Sequence, residues 1–357
     1  MNITFRWFGR DNDTVSLQDI KQIPGVKGIV WALHKLPPGE VWEEQAIKKE
    51  VDYIKSFGFH ADVVESVNIH EAIKIGNSDR DRYIDNYKQT IKNLACHGVK
   101  VICYNFMPVF DWVRTNMREP LPDGSTALFY EKSVVENTDL KAMADDVLNS
   151  SDLTLPGWEP EKLSQLEGLL EEYKNITEED LWNNLAYFLH EVLPVAESNG
   201  IKLAIHPDDP PYPVFGLPRI MKKEADLERM LTISDSPSNG LTFCSGALGA
   251  NPDNDTVDII KKFAEESPFL HVRNIKIHNN GDFIETSHLT RDGSINIRDI
   301  VRHLSEIDYD GYIRPDHGRH IWNEESRPGY GLFDRALGVM YLNGLWDAFN
   351  NGGKEQN

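Results

Sequence analysis

Apolar residues along this 357-residue chain follow two alternating patterns. Short runs rich in β-branched and aromatic residues recur at 3–8, 28–33, 61–65, 100–106, 202–206, 240–244, 269–277 and 311–314. Several are apolar almost without interruption, as expected of parallel strands covered on both faces. Between most of them the spacing changes to three and four residues. Ala46, Val51, Ile54 and Phe57 mark one such segment, Ile84, Tyr87, Ile91 and Leu94 the next, and Leu185, Phe188, Leu189 and Val192 a third. That spacing lines apolar side chains along one face of a helix. Gly58, Gly98 and Gly200 follow the three segments, where glycine commonly closes a last helical turn. Eight strands alternating with helices predict one α/β domain over residues 1–350, a TIM (β/α)8 barrel, with a polar tail at 351–357 that should fray.

The rhythm breaks once. More than 70 residues separate the fourth run from the fifth, where a barrel needs one helix and two loops. Residues 107–180 therefore read as a long insertion after strand 4, with a helical stretch near 163–173. It is expected to be an excursion over the C-terminal face of the barrel, where the loops of this fold build active sites.

Composition narrows the class. Asp and Glu number 57 against 37 Lys and Arg, a formal net charge of −20, and no stretch clusters the cations that phosphate backbones require. This argues against a nucleic-acid partner and for an acidic enzyme with a small-molecule substrate. The N-terminus, Met1-Asn2-Ile3-Thr4-Phe5-Arg6, lacks the charged region and apolar run of a signal peptide, and no stretch approaches the roughly 18 apolar residues of a membrane span. The expectation is a cytoplasmic protein without a membrane partner. Three cysteines do not make a disulfide framework. Cys96, on a helical pattern, and Cys103, within a strand, read as buried thiols, whereas Cys244 stands at a strand end before Ser245-Gly246.

Candidate chemistry concentrates at strand ends in the second half. Ala204-Ile205-His206, Thr242-Phe243-Cys244, Phe269-Leu270-His271 and Arg314-Pro315-Asp316 each close an apolar run on a metal-binding residue type. As successive parallel strands of one barrel, they would bring His206, Cys244, His271 and Asp316 out side by side on one rim. A lone histidine so placed is more often structural, but four equivalent placements are harder to ascribe to packing. Two imidazoles, a thiolate and a carboxylate suit borderline divalent ions such as Fe, Mn, Co or Zn better than Mg or Ca. His317, beside Asp316 with Gly318 to turn the chain, is a candidate general acid or base, the alternative being a supporting role beside the metal. Tyr330, in the Pro-Gly turn Arg327-Pro328-Gly329-Tyr330-Gly331, is a candidate proton donor, although position alone suggests a surface tyrosine.

The first half offers Arg6, His34, Glu65 with Ser66, and Asn105 at its strand ends. Asn105, polar within an apolar strand, needs either a substrate hydroxyl or a neighbouring loop as partner. Arg114, Arg273, Arg314 and Arg327 are candidates for holding a substrate carboxylate through paired hydrogen bonds, and His278 and His288, after the seventh strand, for lining the site. Other motifs are weak. Gly246-Ala247-Leu248-Gly249 lacks the third glycine of a dinucleotide fingerprint, and neither a Walker lysine nor a serine elbow occurs.

Six groups of segments stand in order along the chain: Phe5-Arg6-Trp7-Phe8-Gly9, Ala32-Leu33-His34 with Gly39-Glu40-Val41-Trp42, Val63-Val64-Glu65-Ser66-Val67 with Ile69-His70-Glu71, Tyr104-Asn105-Phe106-Met107-Pro108-Val109 with Asp111-Trp112, Gly216-Leu217-Pro218-Arg219, and Arg314-Pro315-Asp316-His317-Gly318. In these the sequence resembles the mannonate dehydratase family, and the resemblance runs nearly end to end. It implies a xylose-isomerase-like TIM barrel and a divalent metal, Mn2+ or Fe2+, on His206, Cys244, His271 and Asp316. It further implies dehydration of D-mannonate to 2-dehydro-3-deoxy-D-gluconate in hexuronate catabolism, with His317 and Tyr330 transferring protons. Asn105, Arg273, Arg314 and His288 are the expected substrate contacts. Two alternatives stand beside it: a sugar isomerase or epimerase on a similar metal site, and a non-catalytic sugar-acid binder. The apolar surface of 332–349 fits a homodimer contact and burial against the barrel equally well.

Overall fold

The protein, described by a computed structural model over residues 1–137, 160–278 and 280–350, has its strands in the following order along the chain. They are β1 (Asn2–Arg6), β2 (Gly28–Trp31), β3 (His60–Glu65), β4 (Val101–Tyr104), β5 (Asn116–Pro120), β6 (Thr126–Tyr130), β7 (Lys202–Ile205), β8 (Asn239–Cys244), β9 (Phe269–His271), β10 (Ile275–Ile277), β11 (Phe283–Glu285) and β12 (Tyr312–Arg314). Eight of them close into a barrel in the order β1-β12-β9-β8-β7-β4-β3-β2. Every pairing around it is parallel. Each of the eight apolar runs supplies one barrel strand.

Because side chains alternate across a strand, every second residue faces the barrel axis. Val30, Val63, Val101, Cys103, Ala204 and Phe269 form a buried cluster of their own. The intervening residues, among them Ile29, Val64, Ile102, Leu203, Leu270 and Ile313, join the larger core between barrel and helices. Each fully buried aliphatic side chain of this kind contributes roughly 1.5–3 kcal/mol. The helices Glu44–Ser56, Arg80–Cys96 and Glu178–Ser198 bury the faces that their spacing predicts, including Val51 and Ile54, Ile84 to Leu94, and Leu185 to Val192. Cys96 is exposed, contrary to expectation. It lies two residues past Leu94, about 200° around the helix from the buried face.

The run 269–277 is two strands rather than one. After β9 the chain leaves the barrel through the buried pair Arg273 and Asn274, and β10 re-forms in a separate antiparallel sheet of order β10-β11-β6-β5. Part of the 107–180 insertion thus becomes the hairpin β5–β6, paired to β11 through Phe129 and Tyr130. Thr126 bridges to His320 and Trp112 to Asp209, so this segment meets the loops that follow β12 and β7. Residues 138–159 of the insertion and the tail 351–357 lie outside the described residues. Among the described residues no helix is long and apolar enough to cross a membrane.

Candidate active site and metal centre

Two residues beyond each inward-facing position, the same alternation brings side chains out at the C-terminal rim. Thr4 leads to Arg6, Val63 to Glu65, Cys103 to Asn105, Ala204 to His206, Thr242 to Cys244, Phe269 to His271 and Tyr312 to Arg314. A cavity of about 470 Å³ opens there, with Arg6, Glu65, Asn105, His206, Arg314, Asp316, His317 and Tyr330 in its wall.

Ligand atoms of His206, Cys244 and His271 lie within 4.8 Å of one another. The Nε2 of His206 is 3.0 Å from the Nδ1 of His271. A carboxylate oxygen of Asp316 is 3.7 Å from the Cys244 sulfur and another is 3.8 Å from the His271 Nδ1. His206 Nδ1 sits 2.6 Å from the Pro207 carbonyl, which can only accept, so that nitrogen carries the hydrogen and Nε2 presents its lone pair. On His271 the far nitrogen, Nε2, faces Glu65 at 3.5 Å and makes no hydrogen bond. A carboxylate behind the outer nitrogen is the usual way to orient a metal-binding imidazole. Two imidazole nitrogens facing each other beside a sulfur and a carboxylate form a donor set that fits a borderline divalent ion.

Asp316 occupies the left-handed region, with φ 62°, where aspartate is among the better tolerated residues. The turn therefore falls on Asp316 itself, not on Gly318, and it brings both Asp316 and His317 to the cavity. Beneath them lies a buried frame of charges. Arg273 donates from Nε to Asp316 at 2.6 Å, from one terminal nitrogen to Glu285 at 2.9 Å and from the other to Asp209 at 2.7 Å. Arg114 grips both oxygens of Asp209, at 2.8 and 3.0 Å, and also reaches Glu285 at 2.9 Å. Arg314 holds Glu65 at 2.9 Å and Asp316 at 2.8 Å. Burial alone would raise the Asp316 pKa, but Arg314, His317, His271 and Arg273 outweigh it and hold this carboxylate well below its usual range.

The His317 ring is buried between two partners: its Nδ1 lies 2.7 Å from Glu285 and its Nε2 3.0 Å from the Tyr330 hydroxyl. Tyr330 is buried, not on the surface. Burial, more than any charge nearby, pushes its pKa up, so the phenol keeps its proton.

A model of the D-mannonate dehydratase (UxuA) family matches residues 1–356. The chain belongs to the D-mannonate dehydratase family. Mannonate dehydratase of Bacillus subtilis (strain 168) is 63% identical over 356 residues, covering 100% of this chain and 99% of that one. The crystal structure of mannonate dehydratase from Streptococcus suis serotype2 matches with a TM-score of 0.89 at 41% identity, covering 100% of this chain and 97% of that one. A D-tagatose 3-epimerase-like protein, 14% identical with a TM-score of 0.55, shares the barrel fold. At that distance the likeness carries fold alone, so the isomerase or epimerase alternative gains nothing from it, and family membership favours the dehydratase.

Within this mannonate dehydratase scaffold the expected substrate contacts separate into two groups. Asn105 and Arg314 line the cavity. Asn105 nevertheless finds its partners in the following loop, donating to Asp111 at 3.0 Å and accepting from the Met107 amide at 3.3 Å. Arg273 is absent from the cavity wall because its nitrogens are all donated to carboxylates of the frame. His288 is buried away from the cavity, packed where a side chain at Gly338 would strike its ring. His278 is exposed beside the β10–β11 turn. Arg114 belongs to the frame, and Arg327 lines the cavity, its guanidinium 4.4 Å from the Phe8 ring centre. Sequence reasoning misses Asp209 and Glu285. The only signal for Glu285 is its place in Phe283-Ile284-Glu285, where alternation puts an acid on the buried face.

Proposed function

We propose that this chain removes water from D-mannonate to give 2-dehydro-3-deoxy-D-gluconate, as a cytoplasmic enzyme of hexuronate catabolism. The observation that carries this reading is the hydrogen-bonded pair His317–Tyr330 opening on the same cavity as the donor set of His206 and Asp316. A divalent ion, Mn2+ or Fe2+, held by His206, Cys244, His271 and Asp316 would supply Lewis-acid polarisation of the substrate carboxylate, easing loss of the C2 proton. His317 and Tyr330 divide the two proton transfers: one accepts the C2 proton, and the other protonates the C3 hydroxyl as its bond to carbon breaks. One water leaves, and the enol that remains takes a proton at C3 to become the 2-keto product. Asn105 and Arg314, at the cavity wall, orient the sugar-acid chain.

Product mass decides between dehydration and rearrangement. Metal-loaded protein given D-mannonate should yield a carbonyl compound lighter by one water, and chelation should stop its formation. An isomer of unchanged mass would favour epimerisation, and no turnover of any aldonic acid would end the proposal.

A further inference from the structure

The added antiparallel sheet brings one acid into the barrel mouth. Glu285 closes β11, its neighbour Ile284 pairs with Phe129 of β6, and its own side chain is 2% exposed. A single oxygen, Oε1, meets three groups: His317 Nδ1 at 2.7 Å, Arg114 at 2.9 Å and Arg273 at 2.9 Å. Both arginines are permanent donors, and both are anchored to Asp209, so the carboxylate is held from behind and cannot swing away. We propose that Glu285 is a positioning residue for the dehydration: it keeps the proton of His317 on Nδ1 and balances the charge that the ring gains when Nε2 accepts a proton. The inference rests on the reading above that His317 and Tyr330 exchange protons with the substrate.

The chemistry follows from counting donors. An ionised carboxylate can only accept, so a ring nitrogen at 2.7 Å must carry the hydrogen. The Nε2 of a neutral ring is then a bare lone pair, and at 3.0 Å it accepts from the Tyr330 hydroxyl. A proton reaching Nε2, from that hydroxyl or from the substrate carbon, leaves the ring with one positive charge. Glu285 is the carboxylate in hydrogen-bond contact with it, since the nearer oxygen of Asp316 stands at 3.8 Å. The arrangement resembles in its logic the carboxylate that orients and stabilises the histidine of hydrolytic triads. A bland role exists as well, in which Glu285 is only the counter-ion of Arg114 and Arg273, and the two roles differ in what they move.

The test is Glu285→Gln, whose amide oxygen can still accept from all three donors while the charge is gone. Hydrogen bonds to charged groups exceed neutral ones enough that kcat should fall about tenfold to a hundredfold. KM and bound metal should stay near the wild-type values, while the thermal midpoint falls because Arg114 and Arg273 lose a charged partner. Wild-type kcat in the folded variant would overturn the proposal, as would a loss confined to KM or metal content. A second measurement needs no variant at position 285: imidazole 15N spectra of the wild-type protein, with the His317 signals assigned by their loss in His317→Asn. They should show Nδ1 protonated, and a bare Nδ1 would overturn the proposal. If the wild type fails to dehydrate D-mannonate the functional reading is lost, whereas the ring spectrum still reports what Glu285 does to His317.

Discussion

Replacing Gly246 by alanine sets local propensity against the charge frame. Gly246 lies in the helix Ser245–Gly249 that follows Cys244, and in helical backbone alanine is favoured over glycine by about 1 kcal/mol. On that ground alone Gly246→Ala should stabilise. A Cβ at this position, however, would stand 2.5 Å from the Arg273 Cζ and 2.6 Å from its Nε, distances that force the guanidinium to withdraw. Arg273 has nowhere neutral to go, because its nitrogens hold Asp316, Glu285 and Asp209. Losing two of those three charge-assisted bonds, at about 1.5–3 kcal/mol each, and crediting alanine with its helical gain, leaves a net destabilisation of about 2–5 kcal/mol. Urea unfolding followed through the fluorescence of the eight tryptophans should show a lower midpoint at an unchanged slope. Metal affinity should fall with it, since Asp316 loses its 2.6 Å partner. A midpoint at or above that of the wild type would refute the argument that the arginine is immovable.

The other predictions follow from single contacts. Cys244→Ser should reduce metal affinity by at least about tenfold, read by elemental analysis after dialysis, because the exchange replaces a thiolate donor with a hydroxyl; full metal content would remove Cys244 from the donor set. His317→Asn should leave the fold intact and lower kcat by roughly a hundredfold or more, and unchanged turnover would exclude His317 as acid or base. Acid should loosen the frame through Glu285: burial opposes ionisation, but Arg273, His317 and Arg114 bring its pKa from 4.5 down to about 2. A depressed pKa means that the stabilisation is complete above pH 4.5 and disappears as pH falls towards 2, a contribution of roughly 3 kcal/mol. Melting temperatures taken across that window should drop less for Glu285→Gln than for the wild type, and parallel curves would contradict the assignment.

The barrel is legible in the sequence because buried parallel strands leave short apolar runs that helical spacing does not imitate. The donor set is legible for a related reason: strand alternation fixes which residue faces inward, so His206, Cys244 and His271 follow from the register of Ala204, Thr242 and Phe269. What stays hidden depends on partners far along the chain. Arg273 looks like a free cation until Asp209, Asp316 and Glu285, which lie 64, 43 and 12 residues away, are folded around it. The break inside 269–277 is concealed because Ile275 and Ile277 continue the apolar alternation into a different sheet. Glu285 sits on a strand of three residues, too short for any periodicity to register. Tyr330 reads as a surface residue because a Pro-Gly turn carries no trace of the ring that packs onto it.

The order of staves around the barrel has a consequence for how such an enzyme changes over time. His206, Cys244, His271 and Asp316 rise from β7, β8, β9 and β12 or just beyond them, four neighbours in one arc, while β1 to β4 make up the opposite arc with Arg6, Glu65 and Asn105. All four ligands would come from one semicircle, leaving the facing semicircle, Glu65 behind His271 excepted, comparatively free to be rewritten residue by residue as new hydroxyl patterns are met, without dismantling the anchor.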